Sequence, residues 1–123
     1  MSGPSVSTAV LGAGVPSFRF EPKDGVIRRF TSPADVIAAF GDDLDTTIAL
    51  VTSGGTTFLS PILGRLGGIV ALDGTLRSHL AIVSREFDVP CLVGAHLDED
   101  VPDGTLVRLA VVDDDHATIT RGA

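Results

Sequence analysis

Residues 67–94, GGIVALDGTLRSHLAIVSREFDVPCLVG, decide how this chain is read. Ile69 to Leu72 is an apolar run of strand length, and Asp73-Gly74-Thr75 is a polar glycine turn. A helical period follows. At 100° per residue Leu76, Leu80, Val83 and Phe87 share one stripe, with His79 at its edge in or near the first turn. Ser78 and Thr75 are both competent caps, and Asp88-Val89-Pro90 stops the helix. Cys91 to Val93 then gives a second apolar strand. One histidine thus stands where a turn becomes a helix between two strands.

Toward the N-terminus the same alternation continues. Ser60-Pro61 is a cap followed by proline at the first helical position, predicting a short helix from Pro61 to Leu66 that stops at Gly67 and Gly68. Thr47 to Thr52, TIALVT, is apolar on both faces and reads as a buried strand. It leads into Ser53-Gly54-Gly55-Thr56-Thr57, a glycine loop that lacks the lysine of a nucleotide-binding loop. Asp42, Asp43 and Asp45 read as a solvated turn, because the alternation and distal Glu of a calcium loop are missing. Ser32-Pro33-Ala34-Asp35 starts a helix with Val36, Ile37 and Phe40 on its apolar face and Gly41 at its end. Gly25 to Thr31 precedes it as a strand. Residues 1–20 read as an N-terminal tail or edge segment, rich in Gly, Ser and Pro up to Ser17, and residues 21–123 as the domain. Gly12-Ala13-Gly14 only half resembles a dinucleotide-binding turn, since no helical period follows. On the C-terminal side Thr105 to Val112 and Ala117 to Thr120, around Asp113 to Asp115, predict a hairpin at the sheet edge.

Composition narrows the function. At 123 residues the chain is one domain, too small for separate nucleotide and substrate domains. Nine basic against sixteen acidic residues argue against nucleic acid or an anionic membrane as partner. No apolar run approaches a membrane span, no basic segment precedes Arg19, and the single Cys91 fits a reducing compartment, so a cytoplasmic location is expected. His79, His96 and His116 lie 17 and 20 residues apart, without a chelating spacing, so no metal site is expected. Cys91, in an apolar strand, reads as a small buried side chain, and no G-x-S-x-G elbow is present. His79 differs in its setting. A helix N-terminus offers unpaired N–H groups and a positive dipole end to an anion, and neutral imidazole is nucleophilic near pH 7. The pairing suits an imidazole that takes up and releases a phosphoryl group.

The string GIVALDGTLRSHLAIVSREFDVPCLVGA resembles the signature of the phosphohistidine swivelling, or mobile, domain of phosphoenolpyruvate-utilising enzymes. Ser78, His79, Ala81, Ile82, Val83, Arg85, Glu86, Pro90, Val93 and Gly94 stand at matching places, and a weaker likeness runs from Gly25 to the C-terminus. Two departures stand out. The family's Gly-Gly is Gly74-Thr75, and Arg77 replaces a residue that is commonly Thr.

The resemblance implies an α/β swivelling domain of β/β/α type, a central sheet flanked by helices with a C-terminal β-hairpin and His79 at an exposed edge. It implies that His79 is the transiently phosphorylated residue, with Ser78 beside it as cap and candidate catalytic group and Gly74 and Thr75 as candidate substrate contacts; Arg77, where the chain departs from the family, is a further candidate catalytic group whose fixed charge can pair with a phosphoryl group, the alternative being a solvated surface Arg. For Arg85 and Glu86 a structural ion pair is the expectation. The chain has no ATP loop of its own, so it is expected to bind no cofactor, with ATP and Mg²⁺ held by an ATP-grasp partner subunit. The reading is that of a phosphocarrier subunit of a dikinase, inactive alone, similar to the separate carrier of phenylphosphate synthase, and delivering to a small phenolic acceptor. Pyruvate, an antibiotic hydroxyl or a carrier protein are alternative acceptors. The other class of reading is a regulatory or docking module in which His79 only caps its helix.

Overall fold

The computed structural model of the chain describes residues 10–52, 59, 61–73, 79–98 and 100–122. The elements run β1 (Val10–Pro16), β2 (Lys23–Arg29), α1 (Pro33–Ala39), β3 (Thr47–Val51), a 3₁₀ turn (Leu63–Arg65), β4 (Gly68–Ala71), α2 (His79–Glu86), β5 (Cys91–Leu97), β6 (Leu106–Asp113) and β7 (His116–Arg121). Seven strands close into a barrel in the order β1-β5-β4-β3-β2-β6-β7. Strands β2, β3, β4 and β5 are parallel neighbours, while β1, β6 and β7 pair antiparallel and complete the ring.

The closed barrel corrects the expected α/β swivelling architecture of a central sheet flanked by helices. Among the described residues sheet predominates, with α1 and α2 only seven and eight residues long. The closing element is β1, which lies in the stretch read as a tail or edge segment. Gly12 pairs with Leu97 of β5 on one side and with Ile119 of β7 on the other. The glycines that half resembled a nucleotide turn permit that double pairing. A Cβ on Gly14 would lie 3.0 Å from the Cβ of Ala95, and one on Gly12 would collide with the carbonyl oxygen of His96. The C-terminal hairpin is present but occupies no edge, because β6 also pairs with β2 and β7 with β1.

Alternation along the strands sends side chains to two cores. Ile27, Ile48, Leu50, Val70, Leu92, Val107, Leu109 and Ile119 fill the barrel. Phe30, Ala49, Val51, Ile69, Ala71, Cys91 and Val93 face outward from the parallel strands and are covered by Val36 and Ala39 of α1, Leu59, Ile62 and Leu63, and Leu80 and Ala81 of α2. Of these, β3 and β4 are buried on both faces, which is why they read as unbroken apolar runs.

Local signals were obeyed with changes of partner. Ser32 is the N-cap of α1 with Pro33 next, but its hydroxyl makes no cap bond. Asp35 reaches back instead, its carboxylate accepting from the Thr31 backbone N–H at 2.8 Å and the Thr31 hydroxyl at 3.0 Å. Those bonds, the backbone one foremost, hold its carboxyl below the usual carboxylate range. Asp42 is not simply solvated, since it pairs with Arg28 at 2.9 Å. The helix expected at 61–66 is a turn followed by the single 3₁₀ turn.

Candidate functional site

The parallel strands all end at one rim of the barrel, and the connection carrying His79 begins there. Past β4, Leu72 donates its N–H to Val51 of β3 at 2.9 Å, and the Asp73 carbonyl accepts from the Gly94 N–H of β5 at 3.2 Å. The chain is therefore clamped from both neighbouring strands just before residues 74–78. Gly94 makes the second clamp with φ of 57°, a left-handed conformation that suits glycine. It also forms a bulge. Ala13 pairs with His96 and Val15 with Val93, so Gly94 and Ala95 together oppose Gly14. The extra residue shifts the alternation, turning Ala95 into the barrel and His96 outward.

Gly74, Thr75, Arg77 and Ser78, the candidate substrate contacts and catalytic neighbours, lie outside the described residues, as do Leu76 and the 53–57 loop. His79 is the first described residue of α2 and is exposed, whereas the next two residues, Leu80 and Ala81, are buried in the outer core. No acidic side chain occupies the first turn of α2. Among the described residues of that turn none therefore sets a negative charge against an anion on the His79 ring.

The buried face of α2 differs from the predicted stripe. Leu80, Ala81 and Ser84 are buried, Val83 is half-buried, and Phe87 is 59% exposed beyond the helix end, near Gly64. The helix is turned so that Ser84, not Val83, faces the strands. The reason is polar. The buried Ser84 hydroxyl donates to the Ala81 carbonyl at 2.9 Å, stands 3.2 Å from the Ser17 hydroxyl and hydrogen-bonds the Cys91 thiol. Burial pushes that thiol up to about 12, with the two serines partly opposing the shift. Cys91 is thus held as a neutral thiol, inert as a nucleophile. Arg85 and Glu86 are exposed and form no ion pair among the described residues, contrary to the expected pairing.

The three histidines separate in space. His96 projects from the outer face of β5 near the rim at which that strand ends, 68% exposed, with its Nε2 3.7 Å from Asp98 Oδ1. His116 opens β7 at the β6–β7 turn, which lies at the opposite rim because β6 runs antiparallel to β2. The sequence reading weighed His96 only as a metal ligand and so missed its position, which depends on the Gly94 bulge. Among the described residues no group of three or more His, Cys, Asp or Glu side chains could hold a metal ion, and no helix is long and apolar enough to cross a membrane.

An open cleft of ≈ 560 Å³ lies away from this chemistry. Lys23, Asp45, Gly67 and Pro90 in its lining immediately precede or begin the parallel strands, which puts it at the rim opposite His79.

Comparison with known proteins bears on what this rim is for. The family model for the mobile domain of PEP-utilising enzymes matches residues 45–116, more than half of the chain and a span that includes His79. Among solved structures, the crystal structure of an MccF-like protein from Bacillus anthracis str. Ames aligns with a TM-score of 0.61 at 12% identity, over 89% of this chain and 43% of that one. At that identity the likeness is one of fold. No curated protein matches the chain significantly. With the family model spanning strands β3 to β6 and the His79 helix between them, the chain belongs to the mobile-domain family of PEP-utilising enzymes.

Proposed function

We propose that the chain is a phosphohistidine carrier in which His79 receives a phosphoryl group at one active site and surrenders it at another. The observation that carries the reading is the placement of His79: exposed on a helix whose next two residues are buried, within the span matched by the family model. The imidazole is fixed at its base and open at its tip. A nitrogen lone pair attacks phosphorus, the leaving group departs from the partner's site, and the resulting phosphoimidazole is later attacked by an acceptor oxygen, whose proton ends on the imidazole ring. Transport between them is rigid-body domain travel.

In the form proposed, an ATP-grasp partner holding ATP and Mg²⁺ phosphorylates His79 and the acceptor is a small phenolic hydroxyl, so that ATP, acceptor and water become AMP, phospho-acceptor and phosphate. Separate carrier and nucleotide chains, as in phenylphosphate synthase, are the arrangement this resembles. Arg77 and Ser78 are proposed to contact the phosphoryl group, and Gly74 and Thr75 to line its approach. The test is to incubate the chain with its ATP-grasp partner and ATP labelled at the β-phosphate. An acid-labile label on the wild type that is absent from His79→Ala supports the carrier role, and a label that persists in His79→Ala refutes it. Passage of the label to added phenol, with pyruvate as the competing acceptor, tests the phenolic assignment.

A further inference from the structure

The direction in which His79 points is set by the face that α2 lays against the strands. Leu80, Ala81 and Ser84 are buried, and Val83 is half-buried. At 100° per residue measured from His79, Leu80, Ala81 and Ser84 lie at about 100°, 200° and 140°, a buried face centred near 150°. His79 is thus turned about 150° away from the sheet. Ile82 and Glu86, at about 300° and 340°, straddle the direction opposite the buried face. His79, Ile82 and Glu86 therefore form one outward stripe, and all three are exposed.

The stripe has a chemical character of its own. Ile82 is 41% exposed and belongs to neither hydrophobic core, although it stands only one helical turn from His79, a rise of roughly 4.5 Å. Glu86, one turn further, forms no ion pair among the described residues. No Lys or Arg stands on the stripe, since Arg85, at about 240°, lies on its flank. The carrier reading states what has to cover this surface. A ring nitrogen attacks phosphorus from about 3–3.5 Å, so a protein site that donates the phosphoryl group must close on the His79 ring. Closing from the side to which the ring projects brings that site down on Ile82 in the same approach.

We propose that the His79, Ile82 and Glu86 stripe is the docking face by which the carrier enters the protein site that phosphorylates it, and that the surface it meets is apolar opposite Ile82 and basic opposite Glu86. The inference rests on the carrier reading and adds the residues and the chemistry of recognition. Ile82 supplies apolar area beside the reacting ring. Glu86, on a chain of formal net charge −7, is drawn to a basic rim, an attraction that added salt weakens.

The experiment compares two phosphoryl donors on the full chain. Phosphoramidate is a small molecule that needs no docking face: its N–P bond breaks, the His79 N–P bond forms and ammonia leaves. The other donor is the ATP-grasp partner with ATP. For each variant the partner-dependent kcat/KM is divided by the phosphoramidate rate constant, which cancels changes in the imidazole itself. Covering the exposed 41% of Ile82 corresponds to about three- to eightfold in affinity, so Ile82→Ala, which keeps a good helix former, should lower the ratio by that factor through KM. Glu86→Gln should lower it about twofold and flatten its decline with salt. Val112→Ala, at a residue 58% exposed beside the β6–β7 turn at the opposite rim, is the control and should leave the ratio where it is. Equal ratios in Ile82→Ala and Val112→Ala, or a salt dependence unchanged by Glu86→Gln, overturn the inference. So does an Ile82→Ala that dissociates a dimer of the free chain in sedimentation while the ratio holds, since the stripe is then a contact between copies. In each of these cases His79 still accepts the phosphoryl group and the carrier reading stands. A folded wild type that neither donor phosphorylates removes the carrier reading and this inference with it.

Discussion

Replacing Gly94 by Ala isolates the device that clamps the chain before residues 74–78. Gly94 sits at φ 57°, inside the left-handed basin, as the extra residue of the β5 bulge. An L-residue there costs about 1–2 kcal/mol through the approach of its Cβ to the carbonyl oxygen. Alanine returns about 0.4–1 kcal/mol by narrowing the unfolded ensemble. The net loss is about 1 kcal/mol, a fall in Tm of about 4 °C for a domain of this size. Gly104 is at φ 92°, outside the left-handed minimum, with open space around its Cβ position, so Gly104→Ala should lose more than Gly94→Ala through backbone strain alone. Gly41, with nothing near a built Cβ and no positive φ, is the control and should be neutral or slightly stabilised as Ala. Asparagine, which tolerates the left-handed region, should recover part of the loss at Gly94. Urea melts of the four variants decide the matter. Gly94→Ala as stable as wild type, or Gly94→Asn less stable than Gly94→Ala, would refute the claim that backbone conformation is what the glycine supplies.

Two further outcomes follow from the ionisable groups. The Cys91 thiol is raised to about 12 when folded, so its contribution is fully present below the unfolded value near 9.0 and is lost as pH rises toward 12. Urea midpoints measured from pH 8 to pH 11 should fall less steeply in Cys91→Ala than in wild type, and native Cys91 should resist iodoacetamide at pH 8 until urea unfolds the chain. Asp35 is the opposite case. Its folded value is depressed by Thr31, so its contribution is present above the unfolded carboxylate value and is lost as pH falls through the folded one. Asp35→Asn should therefore lower Tm slightly at pH 6 and converge on wild type as pH falls below the depressed folded value. Unchanged stability at pH 6 would show that Pro33 and packing suffice to start α1.

Much of the local structure was legible because its causes are local. The strand around Ile48 to Val51 announced itself by being apolar on both faces, and Pro33 fixed where α1 begins. The His79 helix and its flanking strands were read from period and stop signals, and the family model matches over that same region. Other features escaped for a common reason. The rotation of α2 depends on Ser84 meeting Ser17, 67 residues away, a contact no helical period encodes. Asp42 was taken for a solvated acid because Arg28 reaches it across the α1 connection.

Alternation, caps and breakers by themselves determined the strands that follow β1, that a helix lies between β4 and β5 with His79 in or near its first turn, and that a histidine so placed suits an anionic cargo. The tertiary structure decided that the sheet closes. Closure required a glycine-bearing strand that reads as a tail until its two neighbours, β5 and β7, are seen to approach it more closely than any side chain would allow. It decided equally that His96 turns outward, because a single bulge residue at Gly94 shifts the pleat by one. Both depend on which strands become neighbours, and that choice is made by pairings between segments far apart in the chain, beyond the reach of any local pattern.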